Sequence, residues 1–111
     1  MTHQSKKYLD DILYAISLIE KFLADTISFE EYSKDFKTQS AVERQIGIIG
    51  EAANKFDKLD PGNSFENISQ IVGLRNRIIH AYDSIDASVI WTIVKKYLPA
   101  LKEEVEQKME K

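Results

Sequence analysis

The chain has 111 residues, which is enough for one domain with a hydrophobic core and too few for two, so we expect a single domain over residues 1–111. It contains no cysteine, which excludes disulfides and thiolate metal sites. Its formal net charge of −3 disfavours a protein that coats nucleic acid non-specifically, so any contact with RNA requires a local patch.

The sequence predicts neither a signal peptide nor a membrane-spanning segment. The first residues, MTHQSKKYLDD, lack the apolar core of a signal peptide. No apolar run approaches the roughly 20 residues that a membrane helix requires. We therefore expect a cytoplasmic protein that does not contact a membrane.

The first predicted helix runs from about Ser5 to Asp25. Apolar residues recur there at three- and four-residue steps, as in an amphipathic helix: Leu9, Ile12, Ile16, Ile19 and Leu23. The polar stretch over residues 26–39 is predicted to be a connection that carries a short helical turn.

The second predicted helix begins at Ser40, which forms a capping box with Glu43. A Pro-Gly turn at residues 61–62 ends it. Its apolar stripe consists of Val42, Ile46, Ile49, Ala53 and Phe56. Gly47 and Gly50 lie beside this stripe, on the side of Glu43 and Asn54. They indicate either close helix packing or a surface that another helix or a nucleotide approaches.

A third helix is predicted to follow Ser64 and to include the stretch GLRNRIIHAYD, residues 73–83. Ser84 or Asp86 caps a fourth helix, and Pro99 breaks or kinks it. The remaining charged residues are expected to form a fraying helix. Since no stretch alternates like a strand, we predict an all-α fold, an antiparallel bundle of four to five helices.

Arg75 occupies an unusual position on the third helix. On a helical wheel it falls in the middle of an apolar cluster, Ile68, Ile71, Val72, Ile78 and Ile79. A guanidinium cannot lose its charge there, so it must find a carboxylate, carbonyl oxygens or an anion. Gly73, Asn76 and His80 form a second, narrow strip.

Arg75 and His80 are five residues apart, so they point about 140° away from each other on an ideal helix. One copy of the helix cannot easily aim both side chains at one atom. Two copies around a two-fold axis can, and an isologous dimer is the commonest oligomer. We therefore predict a two-fold homodimer with a shared cleft.

The chemistry of these side chains suits RNA cleavage. Histidine transfers protons near neutral pH, and arginine stabilises the charge that develops on a phosphate. RNA supplies its own nucleophile, the 2′-hydroxyl, so no metal or cofactor is required. Asn76 could orient the imidazole or hold a phosphate oxygen, and Tyr82 offers a hydroxyl nearby.

Ordinary structural roles are the alternative. His80 could be a packing or capping residue, Tyr82 could belong to the core, and Arg75 could form a buried ion pair with Glu51 or Glu43. A metal centre is not predicted, because His3 and His80 are the only histidines and neither belongs to a cluster with ligand spacing.

Three stretches resemble the HepT-like proteins, a branch of the HEPN superfamily. RNRIIHAY, residues 75–82, matches the R-x-x-x-x-H-x-Y signature of that family. ERQIGIIGEAANKF, residues 43–56, is similar to its second-helix pattern, and SVIWTIVKKYLPALKEEV, residues 88–105, to its tryptophan-containing helix and L-P-x-L segment.

The resemblance implies a dimeric helical bundle that is the toxin of a bacterial type VII toxin–antitoxin system. It implies metal-independent endoribonuclease activity on cellular RNA, with Arg75 and His80 catalytic and Asn76 assisting. The implied partner is a minimal nucleotidyltransferase antitoxin, which neutralises the toxin by transferring AMP from ATP to Tyr82. Glu51 and Arg77 are candidates for supporting residues.

Two other readings of the chain stay open. It could be a HEPN-type binding module without nuclease activity that partners a nucleotidyltransferase, which suits the acidic net charge. It could also be a plain structural bundle in which the motif belongs to the core.

Overall fold

The computed structural model describes residues 1–80 and 85–110. The described part contains helices and no strand, which confirms the all-α bundle. The helices are α1 (His3–Phe22), α2 (Phe29–Lys34), α3 (Phe36–Leu59), α4 (Ile68–His80), α5 (Ala87–Thr92) and α6 (Leu98–Met109). A 3₁₀ turn, Pro61–Asn63, follows α3, and a π-helical segment, Ile93–Tyr97, joins α5 to α6.

Helix α1 has the predicted amphipathic stripe, and all five of its predicted apolar residues are buried. The helix begins earlier than expected, because the side chain of Thr2 accepts a hydrogen bond from the backbone N–H of Ser5 and caps the first turn. It ends at Phe22 rather than at Asp25.

Helix α3 begins a full turn before the predicted position. The side chain of Asp35 caps it by accepting a hydrogen bond from the backbone N–H of Thr38 at 3.0 Å. The prediction of Ser40 as the N-cap was therefore wrong, since Ser40 lies within the helix. The apolar stripe of α3 is buried as predicted, and the helix ends at Leu59, just before the Pro-Gly turn.

The C-terminal helices begin as predicted but differ from the prediction around Pro99. Asp86 caps α5, as expected, whereas Ser84 lies outside the described residues. Pro99 does not end the helical rod. It sits in the first turn of α6, directly after the π-helical segment, in which the backbone N–H of Leu98 donates to Ile93 O. Because proline lacks an N–H and its ring crowds the carbonyl four residues back, a wider turn suits this position.

Helix α6 is anchored rather than fraying, so that prediction was wrong. Leu101 and Val105 are fully buried. Lys108 is only 7% exposed, and its Nζ donates to Asn63 O at 2.8 Å and to Asn63 Oδ1 at 2.9 Å. The last turns of α6 therefore hold the connection that leads into α4.

Helix α3 lies between α1 and α4 and packs extensively against both. The contacts of Gly47 with Ile78 and of Gly50 with Arg75 run in opposite sequence directions, so α3 and α4 are antiparallel. None of the described helices has the length and apolar character that spanning a membrane requires.

Candidate functional site

Helix α4 presents one apolar face to the rest of the bundle. Ile71 is buried, and Leu74 and Ile78 are half-buried against the core. Ile79, which the helical wheel placed in the same apolar cluster, is 49% exposed. The prediction was too broad there, because α3 covers only the side of α4 that carries Ile71, Arg75 and Ile78.

Arg75 lies on the backbone of α3 at Gly50. A Cβ atom at position 50 would overlap the Cβ of Arg75 and would lie 3.1 Å from both Arg75 Cγ and Ile71 O. Close helix packing, one of the two interpretations of the glycines, is thus confirmed for Gly50. A Cβ at position 47 would make only ordinary contact, 3.6 Å from Ile78 Cγ2.

The guanidinium of Arg75 is held by its neighbour in sequence. Its Nη1 donates to Asn76 Oδ1 at 2.8 Å. Its Nε is buried and has no hydrogen-bond partner among the described residues. A buried donor without a partner costs free energy, on the order of 1–3 kcal/mol, unless a ligand supplies an acceptor.

The ion pair that could have explained Arg75 structurally is absent from the described part of the chain. Glu51 pairs instead with Lys55 on α3 at 3.3 Å, and both side chains are about half exposed. Glu43 is half-buried, and desolvation raises the pKa of its carboxyl. Arg75 therefore keeps a positive charge that no described carboxylate neutralises at salt-bridge distance.

Asn76, Arg77 and His80 are exposed, and they share the outer side of α4 with Gly73. Asn76 faces Arg75 rather than His80, with which it forms no hydrogen bond among the described residues. A contact between adjacent helical residues is hard to find from spacing, because side chains at i and i+1 do not usually face each other. His80 is the last residue of α4.

The structure therefore brings Arg75, Asn76 and Gly50 together and leaves His80 one turn further along, on another side of α4. Glu51 and Arg77 contact none of these side chains through a hydrogen bond or ion pair in the described part. The prediction for Tyr82 lies outside the described residues. Within them, no group of three or more His, Cys, Asp or Glu side chains is placed to hold a metal ion.

Comparisons with known proteins agree with this architecture. A family sequence model described as "Ribonuclease HepT-like" matches residues 12–108. A protein of Thermococcus cleftensis named "Probable ribonuclease HepT" is 40% identical over 96% of this chain and 97% of its own length. The "tRNA nuclease HepT" of Aphanizomenon flos-aquae is 26% identical over 79% of this chain and 71% of its own.

One solved structure covers the whole chain with a TM-score of 0.75 and 17% sequence identity. It is a tri-AMPylated HEPN toxin of Shewanella oneidensis in complex with its MNT antitoxin. Identity this low establishes a shared helical fold and nothing more.

Proposed function

Because the chain belongs to the HepT-like family, we propose that it is the toxin of a type VII toxin–antitoxin system and an endoribonuclease that cleaves cellular RNA without a metal ion. The observation that carries this proposal is the state of Arg75. Its guanidinium has a buried Nε without a described partner and no carboxylate at salt-bridge distance. Asn76 orients it. A phosphate oxygen would accept hydrogen bonds from the Nη end of the guanidinium, which, unlike Nε, is not buried without a partner among the described residues.

In this proposal His80 and Arg75 divide the chemistry. His80 accepts the proton of the RNA 2′-hydroxyl, and the 2′-oxygen attacks the adjacent phosphorus. The bond from phosphorus to the 5′-oxygen breaks, and that oxygen takes up a proton from the imidazolium of His80 in a second copy of the chain. The products are a 2′,3′-cyclic phosphate and a 5′-hydroxyl. Arg75 stabilises the additional negative charge on the phosphate oxygens.

We further propose that two copies form one cleft. His80 is exposed, while Arg75 is half-buried against α3, so one chain presents them in different directions. A Cβ added at Gly73 would meet nothing within 4 Å. Glycine inside a helix costs about 1 kcal/mol relative to alanine, and no described contact within the chain requires it there. A second copy of α4 packed against this face would explain why a glycine stands at position 73 and why the apolar Ile79 is exposed.

The proposed regulator is a minimal nucleotidyltransferase that modifies Tyr82. The Tyr82 hydroxyl would lose its proton and attack the α-phosphorus of ATP, with pyrophosphate as the leaving group. The new phosphodiester would carry a negative charge two residues beyond His80. Such a group would compete with RNA for Arg75 and close the cleft. The Shewanella oneidensis structure, an AMPylated toxin with its antitoxin, supports this analogy at the level of the fold.

An RNA cleavage assay in EDTA tests the proposed activity. Wild type, Tyr82→Phe and the control His3→Ala should cut RNA and leave 2′,3′-cyclic phosphate ends. His80→Ala should be slower by about a hundredfold or more, with circular dichroism showing an unchanged fold. If well-folded wild type does not cut RNA, the chain is a HEPN-type binding module instead, a function that its net charge of −3 also suits.

A further inference from the structure

A cavity of about 280 Å³ separates α4 from the C-terminal helices. Its apolar wall comes from α3, α4, the π-helical segment and α6, and includes Ile46, Ile49, Ile71, Leu74, Ile93 and Leu98. None of the described residues that line it is charged. The cavity lies on the side of α4 that carries Leu74, about 120° around the helix from His80. It is therefore separate from the exposed strip of α4.

Polar atoms in the lining are few. Asn67 and Gln70 contribute amides, and Gln70 is exposed, which indicates where the cavity reaches solvent. Tyr97 contributes a hydroxyl that is buried and has no hydrogen-bond partner among the described residues. Burial raises the pKa of Tyr97 to about 12, with Glu104 adding to the rise and the Asn67 amide offsetting part of it. The Asn67 amide is thus close to the Tyr97 hydroxyl but forms no hydrogen bond of normal geometry with it, and at neutral pH the hydroxyl keeps a proton that it can donate.

The packing of the bundle explains why the cavity stays open. Gly50 fixes α4 closely against α3. Helix α4 therefore cannot also move toward the π-helical segment and α6 without losing that contact. On the other side, the π-helical segment before Pro99 widens the backbone and carries Ile93 and Tyr97. Segments of this kind occur frequently at functional sites.

We propose that this cavity is a binding site for a neutral, mostly apolar molecule whose single hydrogen-bond acceptor takes the hydrogen bond of the Tyr97 hydroxyl. Its size follows from comparison with known cavities. An engineered cavity of about 150 Å³ holds benzene, so 280 Å³ has room for about eleven heavy atoms. An anion is disfavoured as the ligand, since the described lining has no basic side chain and the carboxylates of Glu66 and Glu104 act on Tyr97.

The probe that tests this site is 1-tetralone, which has a fused bicyclic skeleton and one carbonyl oxygen. Methyl NMR of the isoleucine-labelled full chain should show saturable shifts that are confined to Ile46, Ile49, Ile71 and Ile93. The buried Ile12, on α1, and the exposed Ile27 lie outside the cavity and should not shift.

Two substitutions isolate the hydrogen bond. Tyr97→Phe should lower the affinity for 1-tetralone about five- to tenfold, which is the usual contribution of one hydrogen bond. The control Tyr14→Phe, at a tyrosine that is 65% exposed, should not. Tetralin, which lacks the carbonyl, should bind wild type and Tyr97→Phe equally well.

Three outcomes would overturn the proposal. The first is the absence of methyl shifts up to the solubility limit of 1-tetralone, and the second is shifts that extend to Ile12 and Ile27. The third is equal affinity of wild type and Tyr97→Phe for 1-tetralone. Because the readout is binding, it is independent of whether the chain cuts RNA.

Discussion

The contact between Gly50 and Arg75 predicts that Gly50→Ala damages both stability and the candidate site. An alanine Cβ at position 50 would overlap Arg75 Cβ and press on Ile71 O at 3.1 Å. Neither atom belongs to the far end of a flexible side chain. Helix α4 must therefore move away from α3 as a unit, and it carries Arg75 with it.

The magnitude follows from two opposing effects. Overpacking a close contact costs about 1–3 kcal/mol, whereas replacing glycine by alanine inside a helix gains about 1 kcal/mol. At Gly47 only the gain applies, because the added Cβ would lie 3.6 Å from Ile78 Cγ2. We therefore expect the free energy of unfolding of Gly50→Ala to be about 1–3 kcal/mol lower than that of Gly47→Ala.

Urea unfolding followed by circular dichroism measures this difference directly. On the proposed function, RNA cleavage by Gly50→Ala should also fall, by up to about a hundredfold if Arg75 moves by about 1 Å. Gly47→Ala should retain full activity. If the two variants proved equally stable, the close approach of α3 and α4 at Gly50 would be refuted, and with it the packing role assigned to that glycine.

Three further predictions concern residues outside the candidate site. Lys108→Met should lower the free energy of unfolding by about 1–3 kcal/mol, because it leaves carbonyl oxygens of the α3–α4 connection without a donor; the exposed Lys96→Met should change it little, and equal losses in urea unfolding would contradict the anchor. Burial, with a contribution from Glu43, raises the pKa of Tyr32 from 10.0 to about 12. The folded state thus holds the Tyr32 proton more tightly than the unfolded state does. The stability that this proton contributes is fully present below pH 10 and is lost between pH 10 and 12. Tyr32→Phe should flatten that decline in thermal melts, and an unchanged slope would argue against it. Asp35→Ala should lower Tm while Ser40→Ala leaves it unchanged; the reverse order would restore the capping box predicted from the sequence.

The helices of this chain could be predicted from sequence because their apolar residues recur with helical spacing. Burial of the stripes on α1 and α3 follows from that spacing alone. Helix ends were less predictable, since Asp35 and Ser40 are both good capping residues and the sequence pattern does not show which of them caps α3. The expected break or kink at Pro99 takes the form of a π-helical segment, and the chain stays helical on both sides of it. Proline is incompatible with a regular helix interior, but one π-helical segment is enough to accommodate it.

The candidate site was only partly predictable. Its residue types and spacing indicated phosphate chemistry at Arg75 and His80, and a helical wheel placed these two side chains on different sides of α4. The wheel could not show which side α3 covers, so Ile79 was placed in the apolar cluster around Arg75 although it is half exposed. Nor could spacing reveal the hydrogen bond of Arg75 with Asn76, or the absence of an ion pair with Glu51 in the described part.

The anchor formed by Lys108 also has a consequence for the order of events during translation. Its partner Asn63 precedes α4 in sequence, whereas Lys108 is synthesised after the whole motif. A nascent chain that already contains Arg75 and His80 therefore lacks the hydrogen bonds of Lys108 to the connection before α4 until residue 108 has been added. If the chain cleaves RNA as proposed, its Arg75 and His80 are therefore synthesised before the residue that anchors the start of α4.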